Sequence, residues 1–171
     1  MWDEDEVRSH HNTRLTPNFV TGLMLHIVLH QPEIPQNTGN IGRTCVALGA
    51  KLWLVRPLGF RMDGGGRKRA GLDYWEHLDW QIVDHWAHLL EHLPTDRMWF
   101  FSKTATQDYR SPSYQADDVL VFGSETQGLP RAILDKFPEQ ALRIPMQEPV
   151  RSLNLAVAVG VAGYAACTHP S

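Results

Sequence analysis

Gly123, Glu125 and Gly128, in the stretch FGSETQGLP, set a carboxylate between two glycines where an apolar run gives way to a proline suited to a first helical turn. A carboxylate at such a junction can accept hydrogen bonds from main-chain N–H groups or meet a ligand, because open α/β sheets hold ligands beyond the carboxyl ends of their strands. Two further stretches have the same strand-to-helix character. PEIPQNTGNIGRT carries Asn37, Gly39 and Arg43, and IPMQEPVRSLNLAVAVG carries Ile144, Met146, Ser152, Leu153 and Asn154. All three loops should meet at one edge of a sheet and form one site. No G-x-G-x-x-G follows the first apolar run, and GGGRKRAG lacks the Gly-Lys-Ser/Thr ending of a P-loop, so dinucleotide binding and phosphoryl transfer from a nucleotide are disfavoured. No metal is expected either. His26 and His30 share a strand face but lie too far apart along it for easy chelation, and His10 and His11 lie in the N-terminal segment.

The elements that must carry these loops show as short apolar runs separated by helical spacing. MLHIVLH, KLWLV, WQIV, MWFF, VLVFG and LRIP read as strands. A helix capped by Asn37 should contain Ile41, Cys45 and Leu48 on one face and stop at Gly49; others are predicted over 86–93, 130–137 and 154–166. Alternating strands and helices predict an α/β fold, a mainly parallel sheet with helices on both faces.

The chain has 171 residues, of which 43% are hydrophobic, enough for one core. A single domain is expected over 24–171. Residues 1–23 are polar, with the acidic run Asp3, Glu4, Asp5 and Glu6, and read as a flexible extension. The formal charge of −3 does not advertise a nucleic-acid binder, yet Arg61, Arg67, Lys68 and Arg69 form a local basic cluster that could meet phosphate or simply be a solvated loop. Cys45 and Cys167 show neither a CxxC pattern nor a paired framework, as suits a reducing compartment. The longest apolar run, Leu155 to Cys167, is shorter than the roughly 20 residues that cross a bilayer. No secretory signal is visible, and a cytoplasmic location is expected.

The three motifs, in this order, resemble those of the SPOUT superfamily of RNA methyltransferases: N-x-G-x-x-x-R at Asn37, Gly39 and Arg43, G-x-E-x-x-G at Gly123, Glu125 and Gly128, and I-P-M followed by S-L-N at 144–146 and 152–154. The similarity covers residues 24–171. Its compactness, with PEIPQNTGNIGRT and KRAGLDYWEH, is similar to the small branch that methylates the wobble ribose of tRNA at cytidine or uridine 34, leucine isoacceptors in particular. The resemblance implies a deep C-terminal trefoil knot, S-adenosylmethionine bound in it, and a homodimer. Generic fold rules argue against a knot, so that expectation rests on the resemblance alone.

By the same resemblance the catalytic set is Arg43, Asn37, Glu125, Ser152, Asn154 and Tyr164. The cofactor-binding set is Phe101, Ser102, Gly123, Ser124, Gly128, Ile144, Met146, Ser152 and Leu153. Arg43, Arg61, Arg67, Lys68 and Arg69 are expected to contact RNA. A guanidinium stays protonated, so Arg43 is expected to orient and polarise the ribose hydroxyl and not to act as a base. Asn154 could cap the last helix, touch substrate, or do both through different atoms. Glu125 could hydrogen-bond loop amides or position RNA. The small residues of the last helix, Ala156 to Ala165, fit either a dimer interface or internal packing. Methylation of another tRNA or rRNA ribose, or cofactor and RNA binding without turnover, are the alternatives.

Overall fold

The computed structural model describes residues 24–62 and 73–168. The expected N-terminal extension and three of the basic residues, Arg67, Lys68 and Arg69, lie outside the described residues.

The first apolar run forms β1 (His26–His30), whose Ile27, Val28 and Leu29 are fully buried. Burial on both faces suits a central parallel strand, and each such side chain contributes about 1.5–3 kcal/mol. The chain continues through α1 (Pro35–Leu48), β2 (Lys51–Val55), a 3₁₀ turn at Asp73–His77, β3 (Trp80–Val83) and α2 (Trp86–Leu90). It then forms β4 (Met98–Phe101), the short β5 (Gln107–Asp108), β6 (Val119–Phe122), α3 (Arg131–Leu134), a 3₁₀ turn at Pro138–Gln140, β7 (Ala141–Arg143) and α4 (Leu155–Thr168). The seven strands lie in the order β3-β2-β1-β6-β4-β7-β5, and every pair is parallel. The α/β reading is therefore correct. β1 sits between β2 and β6 with His26 opposite both Lys51 and Val119.

Strand alternation divides the core in two. Ile27, Leu29, Leu52, Leu54, Leu120 and Phe122 pack with Ile41 and Cys45 of α1 and Val159 and Ala162 of α4. On the other face, Val28, Val55, Val121 and Phe100 pack with Leu89 and Ile133. At the amino edge of the sheet the fully buried Asp118 carboxylate accepts from Arg97 Nε and Nη2 at 2.6 and 2.8 Å and from Trp99 Nε1 at 3.0 Å. A buried charge needs such complete pairing, and this one ties β4 to β6 at the end opposite the three loops.

Several boundaries differ from expectation. α1 starts at Pro35, so Asn37 lies inside its first turn and does not cap it; Ile34 occupies the cap position without a side-chain bond. Gly49 does end the helix, in a left-handed conformation with φ 67°. The predicted 130–137 helix is only Arg131–Leu134, because the chain tightens into the Pro138 turn that feeds β7. α2 is likewise shorter than 86–93, and β5 and the Asp73–His77 turn carried no clear periodic signal.

Candidate active site

The Gly123–Gly128 turn answers the question its sequence raises. A Cβ on Gly123 would lie 2.0 Å from the Gly128 carbonyl carbon, and Gly128 adopts φ +68°. One glycine permits backbone contact and the other a left-handed turn, closed by Gly128 N–H donating to the Ser124 carbonyl at 2.9 Å. The turn throws Glu125 across to the loop after β1. There its carboxylate accepts from Glu33 N at 2.7 Å, Ile34 N at 3.1 Å and Asn37 Nδ2 at 3.0 Å. Glu125 thus closes the amino end of α1 at Ile34 and Glu33 from 91 and 92 residues away in sequence, where its negative charge also suits the helix dipole. The contact is reciprocal, since Thr126 donates through N and Oγ1 to the Glu33 carboxylate at 2.9 and 2.8 Å.

Asn37 and Asn154 continue this network into the third loop. Asn154 Oδ1 accepts from Ala156 N at 2.9 Å, capping α4, while its Nδ2 donates to Asn37 Oδ1 at 3.0 Å. The Asn154 alternatives therefore resolve in part: it caps the helix and uses its other atom to bind a neighbouring side chain. Asn37 is buried, and spends both ends of its amide between Glu125 and Asn154. Three loops far apart in sequence are locked by three polar side chains.

Beside the lock lies a cavity of about 740 Å³ at the carboxyl edge of the sheet. Its walls include all nine residues expected around the cofactor: Phe101, Ser102, Gly123, Ser124, Gly128, Ile144, Met146, Ser152 and Leu153. Asn37, Glu125 and Asn154 also line it, whereas Arg43 and Tyr164 do not. The size suits a small organic molecule, and the lining mixes apolar side chains with loop main chain, which fits an adenine, a ribose and a methionine tail. Sequence reasoning missed Lys103, Thr106, Arg131 and Asp135 on the same walls. The polar run SKTAT directly after the MWFF strand was the available signal for the first two.

Arg43 is exposed on α1, with its guanidinium carbon 4.8 Å from the centre of the Tyr74 ring. Arg61 is exposed as well. Tyr164 stands on α4 with Val157 and Val161, and the three are 47%, 51% and 36% exposed. The opposite side of α4 meets α1, where a Cβ on Gly163 would lie 2.7 Å from Leu48 Cδ1. Small residues in this helix thus serve internal packing on one side. Burial lowers the pKa of His30, at the end of β1, and pushes the Cys45 thiol up to about 12. His26 Nδ1 accepts from Trp53 Nε1 at 3.1 Å. Among the described residues no group of three or more His, Cys, Asp or Glu side chains is placed to hold a metal ion, and no helix is long and apolar enough to cross a membrane.

A profile of the SpoU rRNA methylase family matches residues 24–164. The tRNA (cytidine(34)-2'-O)-methyltransferase of Escherichia coli strain K12 is 44% identical over 144 residues, 84% of this chain and 92% of that one. The protein of the same name from Yersinia pestis is 46% identical over 149 residues, 84% of this chain and 92% of that one. Among solved structures, one described as giving structural insights into the 2-OH methylation of C/U34 on tRNA superposes with a TM-score of 0.78 at 52% identity, over 84% of this chain and 94% of that one. An AdoMet-bound rRNA methyltransferase from Sinorhizobium meliloti superposes with a TM-score of 0.73 at 25% identity, over 84% of this chain and 55% of that one.

Proposed function

The chain belongs to the SpoU rRNA methylase family, and we propose that it transfers a methyl group from S-adenosylmethionine to the ribose 2'-hydroxyl of the wobble nucleotide, cytidine or uridine 34, of tRNA. The observation that carries this reading is the convergence of the three motif loops on one cavity of cofactor size.

When bound, S-adenosylmethionine would supply an electrophilic methyl group on its sulfonium for transfer to the ribose oxygen. The chain's part is to bind, orient and polarise. Phe101, Ile144, Met146 and Leu153 supply apolar walls, while Gly123, Ser124, Gly128 and the 152–154 segment supply polar main chain. Glu125, Asn37 and Asn154 hold those loops in place, so their role is positioning. Arg43, always charged, orients the hydroxyl or its neighbouring phosphate and stabilises developing negative charge on oxygen.

The substrate is RNA bound partly through Arg61 and the 67–69 cluster. A homodimer is supported by the apolar stripe Val157, Val161 and Tyr164 that α4 turns outward, and by Arg43 and Tyr164 standing outside their own protomer's cavity. The trefoil knot follows from the family resemblance, as does a cytoplasmic location, where tRNA is modified.

Labelled methyl transfer to bulk tRNA lacking wobble ribose methylation, followed by nucleoside and fragment mass spectrometry, tests the proposal. Label in a 2'-O-methylated nucleotide at position 34 supports it. Label at another ribose would overturn the substrate, and cofactor binding with no label would overturn the activity.

A further inference from the structure

Tyr74 lies across the middle of α1, from a different part of the chain. Its hydroxyl donates to the Gly39 carbonyl at 2.6 Å, and its ring faces the guanidinium of Arg43, whose Cζ is 4.8 Å from the ring centre. Gly39 and Arg43 are one helical turn apart, so the phenol is fixed at its polar end one turn before the residue its face supports. The 3₁₀ turn that carries Tyr74 is itself seated on α1: a Cβ on Gly42 would lie 2.6 Å from Trp75 Cζ3, so glycine there lets the Trp75 ring pack against the helix. Among the described side chains no carboxylate comes within ion-pair distance of Arg43.

An exposed arginine has many rotamers of similar energy, and a catalytic guanidinium must occupy one. A carboxylate partner would hold the side chain but neutralise the field that a developing oxyanion needs. An aromatic face holds it by its quadrupole while leaving the charge and the N–H edges directed outward. We propose that Tyr74 is a positioning residue for Arg43, fixing the guanidinium for the ribose hydroxyl without quenching its charge. This rests on the reading of Arg43 as the group that acts on that hydroxyl.

The test compares the full-length protein with Arg43→Ala, Tyr74→Leu and Tyr74→Phe, measuring kcat and KM for tRNA and Kd for S-adenosylmethionine. Loss of the ring in Tyr74→Leu should lower kcat about tenfold or more with cofactor Kd unchanged. Tyr74→Phe, which keeps the aromatic face, should restore kcat to within about threefold of wild type. In an Arg43→Lys background, Tyr74→Leu should cost much less than in wild type, because the planar group it positions is gone. Should Tyr74→Leu fold poorly, phenylalanines of increasing ring fluorination at position 74 give an isosteric series. A stepwise fall in kcat with unaltered thermal stability supports the proposal, and an invariant kcat overturns it. If Arg43→Ala keeps its activity, the reading of Arg43 fails; if Arg43→Ala is inactive but Tyr74→Leu has wild-type kcat, the positioning role alone fails.

Discussion

The Glu125 carboxylate lies 2.7 Å from the main-chain nitrogen of Glu33, 92 residues away in sequence, and closes the amino end of α1 in place of a local cap. Because the same carboxylate also receives Asn37 Nδ2, the turn that walls the cavity and the helix that carries Arg43 are held as one unit.

Glu125→Ala should therefore destabilise the fold by about 1–3 kcal/mol, the cost of a lost cap plus unpaired main-chain donors. It should also weaken S-adenosylmethionine binding. Glu125→Gln keeps an acceptor and should lose less of both. Denaturant titration with calorimetry of cofactor binding measures the pair; unchanged stability in Glu125→Ala would show that α1 needs no cap from this loop.

The two glycines of that turn should respond differently. Gly123→Ala drives a Cβ into main chain at 2.0 Å, which only a shift of the loop relieves, so cofactor binding should be lost. Gly128→Ala meets no atom within 4 Å but must hold φ +68°, a strain of about 1–2 kcal/mol. Its cofactor affinity should fall modestly, and equal losses in the two variants would contradict the steric account.

Arg43 lies outside the cavity and is proposed to act on the ribose hydroxyl, so Arg43→Ala should abolish methyl transfer while leaving cofactor Kd nearly intact. Parallel loss of both, read by calorimetry and single-turnover assays, would place Arg43 in cofactor binding instead.

The outward stripe of α4 leads to an assembly test. Val157→Lys with Val161→Glu removes apolar surface from an exposed face and should leave the protomer folded. On the proposed homodimer reading, sedimentation should show the wild type as a dimer and the variant as a monomer, and an unshifted profile would send the interface to another surface.

Stability should fall as the solution is acidified. Burial is the largest influence on both His26 and His30 and lowers both pKa values from 6.5; at His26 it outweighs the opposing field of Asp117. As pH drops below about 6.5, the unfolded chain takes up protons that the folded chain still refuses, so folding free energy declines until the folded-state values are passed. Urea midpoints measured from about pH 7.5 to about pH 5 should decline, and His26→Gln, which can still accept from Trp53, should flatten the slope.

Much of this protein was legible in its residues because the signals were local. Apolar runs such as HIVLH and VLVF mark strands buried on both faces, Gly49 marks a helix end, and the glycines around Glu125 mark a turn whose backbone demands are written in its composition. The ordered motifs carried the family, and the cavity lining followed from them. What the residues alone left open depended on contacts between distant segments. Whether Glu125 meets amides or RNA, whether Asn37 caps its own helix, and what stands beneath Arg43 are decided by parallel registers that bring residues 33, 74, 125 and 154 against one helix. Local propensity reports what a segment can do with its neighbours in sequence. Only the packed sheet determines which partner, about 90 residues away, offers the better hydrogen bond.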